Sequence, residues 1–140
     1  MSGRIITTYV GNVVKIEKED FFHDAIKLFI ARGRTALEEL TLIGFTQPIG
    51  LAPTDDLLES YKSGKVSWEM YVNVFRMDML DRTTTGKAIK RIKTLLNEGK
   101  NVILCCYEKD YRRCHRYILS NYFSELGYEC GEYKNALSQD

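Results

Sequence analysis

The sequence contains no apolar stretch that approaches the roughly 18 residues needed to span a bilayer, and residues 1–4 lack the apolar core of a signal peptide. The chain also has little net charge, since 20 basic and 19 acidic residues leave a formal charge of +1 at pH 7. A charge this small excludes a general attraction to nucleic acid or to anionic membranes, so any affinity for anions must be local. We therefore expect a soluble, cytoplasmic protein with no membrane partner.

Cysteine is present, but without the spacing of a disulfide framework or of a preformed metal site. Because the cytosol keeps thiols reduced, the four cysteines are available as nucleophiles, ligands or core filler. The soft metal ligands are Cys106, Cys114, His115 and Cys130. They lack the Cys-x-x-Cys or His-x-x-x-His pairing that builds half a zinc site. We therefore expect no metal ion and no other cofactor.

The length of the chain limits its domain organisation. The 140 residues, 44% of them hydrophobic, are enough for one substantial core and too few for two. No internal repeat or low-complexity segment is present. We expect residues 1–133 to form a single domain and residues 134–140 to form a flexible tail.

Short β-rich segments and helical patterns follow one another along the chain. Strands are predicted at residues 4–10, 102–106 and 128–133. Helices are predicted to begin at Thr54 and Ser67, to run over residues 87–97, and to begin again at or near Cys114. The predicted core-facing stripe of the second of these helices is Trp68, Tyr71, Val74, Phe75 and Leu80. The prediction is an α/β domain with a mainly parallel central sheet, flanked by helices in Rossmann-like layering.

Two other segments are harder to assign. In residues 20–32 the apolar positions match helical spacing, but residues 26–30 are also a compact apolar run that suits a buried parallel strand, so the pattern leaves helix and strand open. Residues 40–52 contain Gly44, Pro48 and Gly50, and this density of breakers predicts a surface loop instead of a regular element.

The segment from Cys106 to Arg116 concentrates the reactive side chains. It holds two thiols, an acid, an imidazole and several cations between a β-rich run and a helical pattern. In an open α/β sheet, ligands bind beyond the carboxyl ends of the strands, where loop amides and a helix N-terminus converge. The sequence therefore places a candidate site in this loop.

Four residues of the loop are candidate catalytic groups. Cys114 would lie near a helix N-terminus beside cations, which favours a thiolate, although a buried structural cysteine is the alternative. Glu108 is a candidate acid, base or clamp, with an ion pair to Arg112 or Arg116 as its alternative. His115 is a candidate base, but about 100 degrees of helical rotation would separate it from Cys114, so the two side chains need not touch. A structural histidine held by hydrogen bonds is its alternative.

Cys106 is the fourth candidate. Its spacing to Arg112 matches the Cys-x-x-x-x-x-Arg loop of cysteine phosphatases. However, the loop contains no glycine, and Glu108 and Asp110 would repel phosphate. Phosphatase-like chemistry is therefore a minor alternative.

The order of several motifs resembles that of the domain of unknown function 488 family, in its short form. The stretches that carry the resemblance are Thr8-Tyr9 with Asn12, Leu51-Ala52-Pro53-Thr54 with Leu57-Leu58, residues 61–69 with Tyr71, and residues 104–109 with Cys114-His115-Arg116. The resemblance implies an α/β fold and favours a strand within residues 26–32, but it implies no established reaction. The chain departs from the family pattern at residues 33–35, where an aromatic residue and proline are usual, and in the expanded connection at residues 21–23.

Five residues are candidates for ligand binding. Arg116 could grip a carboxylate or phosphate with two parallel hydrogen bonds, or it could instead fasten the loop to the helix. The others are Arg112 in the loop, Tyr9 and Asn12 after the first strand, and Arg32 after the second. Turn, packing or surface roles are the alternatives for these last three.

Two functions from different classes follow. The first is a thiol- or acid-assisted enzyme acting on a small anionic or nucleotide-like substrate. The second is a noncatalytic module that binds nucleotide or nucleic acid through a basic face, with stacking by Tyr107 and Tyr111. The sequence leaves open the substrate and the oligomeric state.

Overall fold

The structure is a computed structural model that describes residues 2–134, so the predicted tail falls almost wholly outside the described residues. This part of the chain folds as an α/β domain with a four-stranded parallel sheet and six α-helices. The strands are β1 (Arg4–Tyr9), β2 (Ile26–Phe29), β3 (Val102–Cys106) and β4 (Glu129–Glu132). The helices are α1 (Val13–Ile16), α2 (Leu37–Leu42), α3 (Asp55–Lys62), α4 (Trp68–Asp81), α5 (Thr83–Asn97) and α6 (His115–Glu125).

All strands of the sheet run in the same direction, in the order β2-β3-β1-β4. The register pairs Tyr9 of β1 with Cys106 of β3, and Phe29 of β2 with Cys105. The carboxyl ends of β1, β2 and β3 therefore lie together at one edge of the sheet, which is the edge predicted to carry the site.

Helices cover both faces of the sheet, and β3 is completely buried because it lies in the middle. On one face, Leu104 and Cys106 pack with the buried side chains of α3, α4, α5 and α6. On the other face, Ile103 and Cys105 pack against α1 and α2. Across residues 2–134, no helix is long and apolar enough to cross a membrane.

The predicted helix starts at Thr54 and Ser67 are confirmed. The Thr54 hydroxyl accepts a hydrogen bond from the Leu57 amide at 3.2 Å, and the Ser67 hydroxyl accepts one from the Met70 amide at 3.1 Å. These side chains satisfy amides that have no partner within the helix. Gly64 follows α3 with a φ of 83°, a left-handed conformation that favours glycine.

The strand interpretation of residues 26–30 is confirmed by β2, which follows a short 3-10 turn at Asp20–Phe22. The surface-loop prediction for residues 40–52 is wrong in part, because α2 ends at Leu42 and a 3-10 turn spans Ile49–Leu51. Buried apolar side chains explain this difference, since Leu40 and Leu51 are in the core and hold the short elements against it.

The predicted helical stripe also needs one correction. Tyr71 and Phe75 of α4 are buried as expected, but Leu80 is 78% exposed and Met79 takes its place in the core. In addition, α5 begins at Thr83, four residues before the predicted start.

Candidate functional site

A cavity of about 430 Å³ lies at the carboxyl edge of the sheet. It is bordered by the segment after β2, by α3 and α4, and by the loop between β3 and α6. The lining side chains with chemical function are Arg32, Tyr61, Lys62, Tyr71, Tyr107, Glu108, Arg113, Cys114 and His115. The sequence-predicted loop therefore forms one wall of a real concavity, and three of the four predicted catalytic residues line it.

Cys114 and His115 are brought together by the backbone at the start of α6. A 3-10 turn at Tyr111–Arg113 precedes Cys114, which has an extended conformation (φ −129°, ψ 147°) and is the N-cap of the helix. Because Cys114 is not helical, the rotation of about 100 degrees expected between neighbours in a helix does not apply. The Cys114 Sγ lies 3.9 Å from the His115 Nδ1, so the two side chains are in contact.

The orientation of the His115 ring is fixed from the opposite side. The Nε2 atom lies 2.6 Å from the backbone carbonyl oxygen of Ile30, at the end of β2. A carbonyl oxygen only accepts hydrogen bonds, so Nε2 carries a proton and Nδ1 faces Cys114. The ring of Phe75 packs against the imidazole at a centroid distance of 5.7 Å. His115 is therefore held in one orientation toward Cys114.

Cys106 lies behind this pair. Its Sγ is 3.6 Å from Nε2 and 3.9 Å from Nδ1 of His115, and its side chain is fully buried without lining the cavity. The structure therefore joins Cys106, Cys114 and His115 in one cluster but gives only the last two access to the cavity.

The environment separates the acidities of the two thiols. Burial opposes ionisation of Cys114, but a hydrogen bond from the Cys106 thiol and the positive charge of His115 bring the pKa of Cys114 well below its usual value. Burial raises the pKa of Cys106 well above its usual value, and the neighbouring Cys114 adds to this shift.

The pKa of His115 shifts in the direction that complements the Cys114 thiolate. Burial by itself would lower the pKa of the imidazole, but the thiolate and the Ile30 carbonyl raise it overall. The arrangement thus favours a thiolate–imidazolium pair at Cys114 and His115, with Cys106 as a neutral thiol.

Glu108 also reaches the cluster. Its Oε2 lies 3.8 Å from the Cys114 Sγ, and its carboxylate lines the cavity. Within residues 2–134, the carboxylate forms no ion pair with Arg112 or Arg116, which was the alternative explanation for this residue.

Arg116 takes the fastening role that the sequence offered as its alternative. The guanidinium is fully buried and does not line the cavity. It donates to both carboxylate oxygens of Glu132 and to the backbone carbonyls of Glu108 and Lys109. These four bonds use four of its five N–H donors, so Arg116 ties the loop and α6 to β4 and is not placed to grip a ligand.

The other predicted ligand-binding residues have different positions. Arg32 lines the cavity, where its Nε donates to the Pro53 carbonyl oxygen at 2.7 Å. Arg112 is exposed and lies over the Tyr111 ring, and neither it nor Tyr9 nor Asn12 lines the cavity. Of these four residues, only Arg32 therefore lines the cavity.

The sequence interpretation missed several lining residues. Arg113 lies in the predicted loop but was not selected, and it faces the Trp68 ring at 5.7 Å. Tyr61 and Tyr71 come from α3 and α4, where the helical stripe indicated only core packing. The only signal for them was their position within the motif stretches at residues 61–71, because nothing in the local pattern shows which aromatic side chain borders a cavity.

Comparison with known proteins identifies a family. A protein-family model described as DUF488-N3a, the active DUF488-N3 subclade, matches residues 48–127, which is more than half of the chain. The matched region includes α3, α4, α5 and β3 and the whole loop from Cys106 to Arg116. No curated protein and no solved structure matches the chain.

Proposed function

This chain belongs to the DUF488 family, and from that premise and the geometry of the cavity we propose that it is a thiol-dependent enzyme acting on a small anionic substrate. The observation that carries the proposal is the contact between Cys114 and His115 at the wall of the cavity, with the imidazole oriented by the Ile30 carbonyl. A nucleophile, a base within reach and a third group that orients the base are the parts that nucleophilic catalysis requires. The description of the matching family model as an active subclade supports this role.

The roles of the residues follow from their positions. The Cys114 sulfur attacks an electrophilic centre of the substrate, so that a bond to sulfur forms as the bond to the leaving group breaks. The protonated Nδ1 of His115 gives its proton to the departing group. The resulting neutral imidazole then takes a proton from a water molecule that attacks the intermediate, which releases the product and restores the thiolate–imidazolium pair. Glu108 is placed to accept a hydrogen bond from the substrate or to orient that water.

The lining of the cavity supports the substrate class. Arg32, Lys62 and Arg113 contribute three positive charges against the single lining carboxylate of Glu108, and the charge of Arg32 is also shared with the exposed Asp55 at 3.5 Å. Tyr61 and Tyr107 present aromatic surface on the same walls. Cations attract an anionic group, and aromatic rings can pack against a planar one, so a small phosphorylated or carboxylated compound with a ring, such as a nucleotide, fits this environment.

The same cationic and aromatic lining favours a second candidate, a noncatalytic module that binds a nucleotide-like ligand. The phosphatase alternative receives no such support, because Cys106 is buried behind His115 and Arg112 is outside the cavity. Cys106 and Arg112 therefore do not face a common anion-binding loop, despite the Cys-x-x-x-x-x-Arg spacing.

The experiment is a turnover screen with chromogenic aryl esters, aryl phosphates and nucleotide esters on the purified chain. For a substrate that is turned over, Cys114→Ser should lower kcat by about 1000-fold or more, while Cys130→Ser, at a thiol outside the cluster, should leave it unchanged. Mass spectrometry of the quenched reaction should show an adduct on Cys114. Equal rates in wild type and Cys114→Ser would overturn the proposal, and loss of ligand binding on Arg113→Ala without any turnover would favour the binding module.

A further inference from the structure

The cluster behind the cavity has the donor set of a metal site. We propose that Cys106, Cys114 and His115 reversibly bind one Zn²⁺ ion, and that the bound ion caps the Cys114 sulfur. Metal binding goes beyond the proposed enzymatic function and does not depend on it. Only the consequence that the ion blocks a reactive thiol rests on that function.

The distances between the donor atoms suit a single ion. One ligand atom from each of the three residues lies within 4.8 Å of the others, and Nδ1 of His115 is 3.9 Å from both the Cys106 and the Cys114 Sγ. In a tetrahedral zinc site with ordinary bond lengths, sulfur and nitrogen ligands are about 3.6 Å apart and two sulfurs about 3.8 Å apart. Small side-chain rotations therefore bring the three donors into position.

The hydrogen bond to Ile30 prepares His115 for this role. Histidines that bind metals in proteins usually donate their second ring N–H to a carboxylate or a backbone carbonyl, which fixes the ring and leaves the other nitrogen for the ion. Here Nε2 donates to the Ile30 carbonyl oxygen at 2.6 Å, so Nδ1 is the free donor. The same contact that orients a base also orients a ligand.

Charge balance also favours a divalent ion at this buried position. Two thiolates and a neutral imidazole together offset the charge of Zn²⁺, so the complex places no net charge among the buried side chains. The ion displaces the thiol proton of Cys106 and the extra proton of His115, and these protons pass to the solvent.

The site has three protein ligands and not four. Cys130, the remaining soft ligand named from the sequence, is not part of the cluster. Structural zinc sites are closed by four protein ligands, whereas a site with three keeps a position for water. Cys114 and His115 line the cavity, so an ion can enter and leave from that side. The absence of paired spacing predicted no metal, but the fold supplies the donors from β3 and the start of α6.

The test is a titration of chain purified without chelators or added metal, with Zn²⁺ in competition with a chromophoric chelator. Wild type should bind one Zn²⁺ per chain. Cys106→Ser and His115→Asn should each weaken binding by at least about tenfold, because loss of a direct ligand costs no less than loss of an outer-shell partner. Cys130→Ser and Cys105→Ser are matched controls that should bind like wild type. Circular dichroism of each variant shows that it is folded.

Cobalt gives a second readout that does not depend on the variants. Co²⁺ bound at this site should show the absorption bands of a tetrahedral ion and a sulfur-to-cobalt charge-transfer band. Weak surface ligands give a background of about 0.1 equivalent. Binding of either ion by wild type at or below about 0.1 equivalent would overturn the site. Binding of Zn²⁺ by a folded Cys106→Ser chain as tightly as by wild type would also overturn it.

The capping consequence is tested separately by alkylation. Saturating Zn²⁺ should slow labelling of Cys114 by iodoacetamide at least about tenfold, and a chelator should restore the rate. Unchanged labelling with a full equivalent of Zn²⁺ bound would overturn the capping. If the chain bound one equivalent of Zn²⁺ but turned over no substrate, the proposed function would be overturned and the proposed metal site would not.

Discussion

Arg116 and Glu132 form a buried, two-pronged ion pair that joins α6 to β4. The Nε of Arg116 lies 3.0 Å from one carboxylate oxygen of Glu132, and its Nη2 lies 2.9 Å from the other. The Nη1 of the same side chain donates to the Glu108 carbonyl oxygen at 2.6 Å. Because Arg116 thus holds both ends of the loop, it fixes the position of Cys114 relative to the sheet without touching the cavity.

We expect Glu132→Gln to lower the free energy of unfolding by about 3 kcal/mol, because the substitution leaves the buried Arg116 charge without its counterion. Urea denaturation of both proteins measures the difference. The matched control is Arg76→Gln, which breaks the two-pronged pair between Arg76 and Glu125 on the surface. Exposed ion pairs contribute little, so this variant should change stability much less. If Glu132→Gln lowered the free energy of unfolding no more than the control does, the buried pair would contribute no more to stability than the exposed one.

The ion pair also shows what the sequence could and could not predict. Strand β3, the loop and α6 followed from an apolar run, a polar segment and a helical repeat, so Cys114, His115 and Arg116 were placed at the correct edge of the sheet. The role of Arg116 depends on Glu132, which belongs to a strand 16 residues away in the chain. A local pattern contains no information about that partner.

The orientation of His115 was unpredictable for a similar reason. Its partner is a backbone carbonyl at Ile30, 85 residues away, and any residue type can supply such an oxygen. Contact with Cys114 depends on the extended backbone of Cys114, whereas the sequence indicated only a helix start nearby. The fold class and the segment that lines the cavity could therefore be read from the sequence, but not the tertiary contacts that orient each side chain.

The second prediction concerns the reactivity of Cys114. In the presence of a chelator, iodoacetamide should label Cys114 faster at pH 7 than it labels an ordinary thiol, because the lowered pKa of Cys114 leaves a larger fraction of the sulfur ionised. The rate should decline only as the pH falls through that lowered pKa. Burial raises the pKa of Cys130 to about 11, so its labelling should increase only in strongly alkaline solution. Mass spectrometry of labelled peptides separates the two sites.

Replacing His115 tests the cause of this reactivity. The positive charge of the imidazolium stabilises the thiolate, so His115→Gln should raise the pKa of Cys114. Once the pKa of Cys114 lies above 7, the labelling rate at pH 7 should fall by about tenfold for each further unit of increase in that pKa. The variant should recover the wild-type rate at high pH, where the thiol ionises without assistance. A rate at pH 7 that survives in Cys114→Ser would assign the reactive thiol to another residue.

The third prediction concerns the thiol of Cys105, which is buried on the face of the sheet opposite to Cys106. Burial raises the pKa of Cys105 to about 12, whereas a thiol in the unfolded chain ionises near pH 8.5. Between these values the unfolded chain loses a proton that the folded chain keeps, so the contribution of Cys105 to stability is lost as the pH rises. Cys105→Ala removes this dependence.

Urea denaturation at pH 8 and pH 10 measures the effect. From the lower to the higher pH, the free energy of unfolding of wild type should fall by about 1 to 2 kcal/mol more than that of Cys105→Ala. The lost packing of the sulfur adds a constant difference and does not alter the comparison between the two pH values. Equal declines in the two proteins would mean that Cys105 ionises in the folded state.

The fourth prediction compares two glycines at α5. A Cβ at residue 50 would lie 2.6 Å from the carbonyl oxygen of Thr84, and a backbone atom cannot rotate away as the end of a side chain can. Gly50→Ala should therefore push the turn at Ile49–Leu51 away from the start of α5 and lower the free energy of unfolding by about 2 kcal/mol. Gly86 lies inside α5, where a Cβ would come no closer than 3.9 Å to any atom beyond the adjacent backbone of its own helix. Gly86→Ala should instead raise stability by about 0.5 to 1 kcal/mol, because alanine favours the helix.

The displaced turn should also affect the cavity. Residues 49–51 lead directly to Pro53, whose carbonyl oxygen accepts the hydrogen bond from Arg32 and which borders the cavity that Cys114 lines. Labelling of Cys114 at pH 7 should therefore change in Gly50→Ala and stay the same in Gly86→Ala. If both variants were destabilised equally, the close approach of Gly50 to Thr84 would not be the cause, and a general intolerance of α5 to added volume would explain the result.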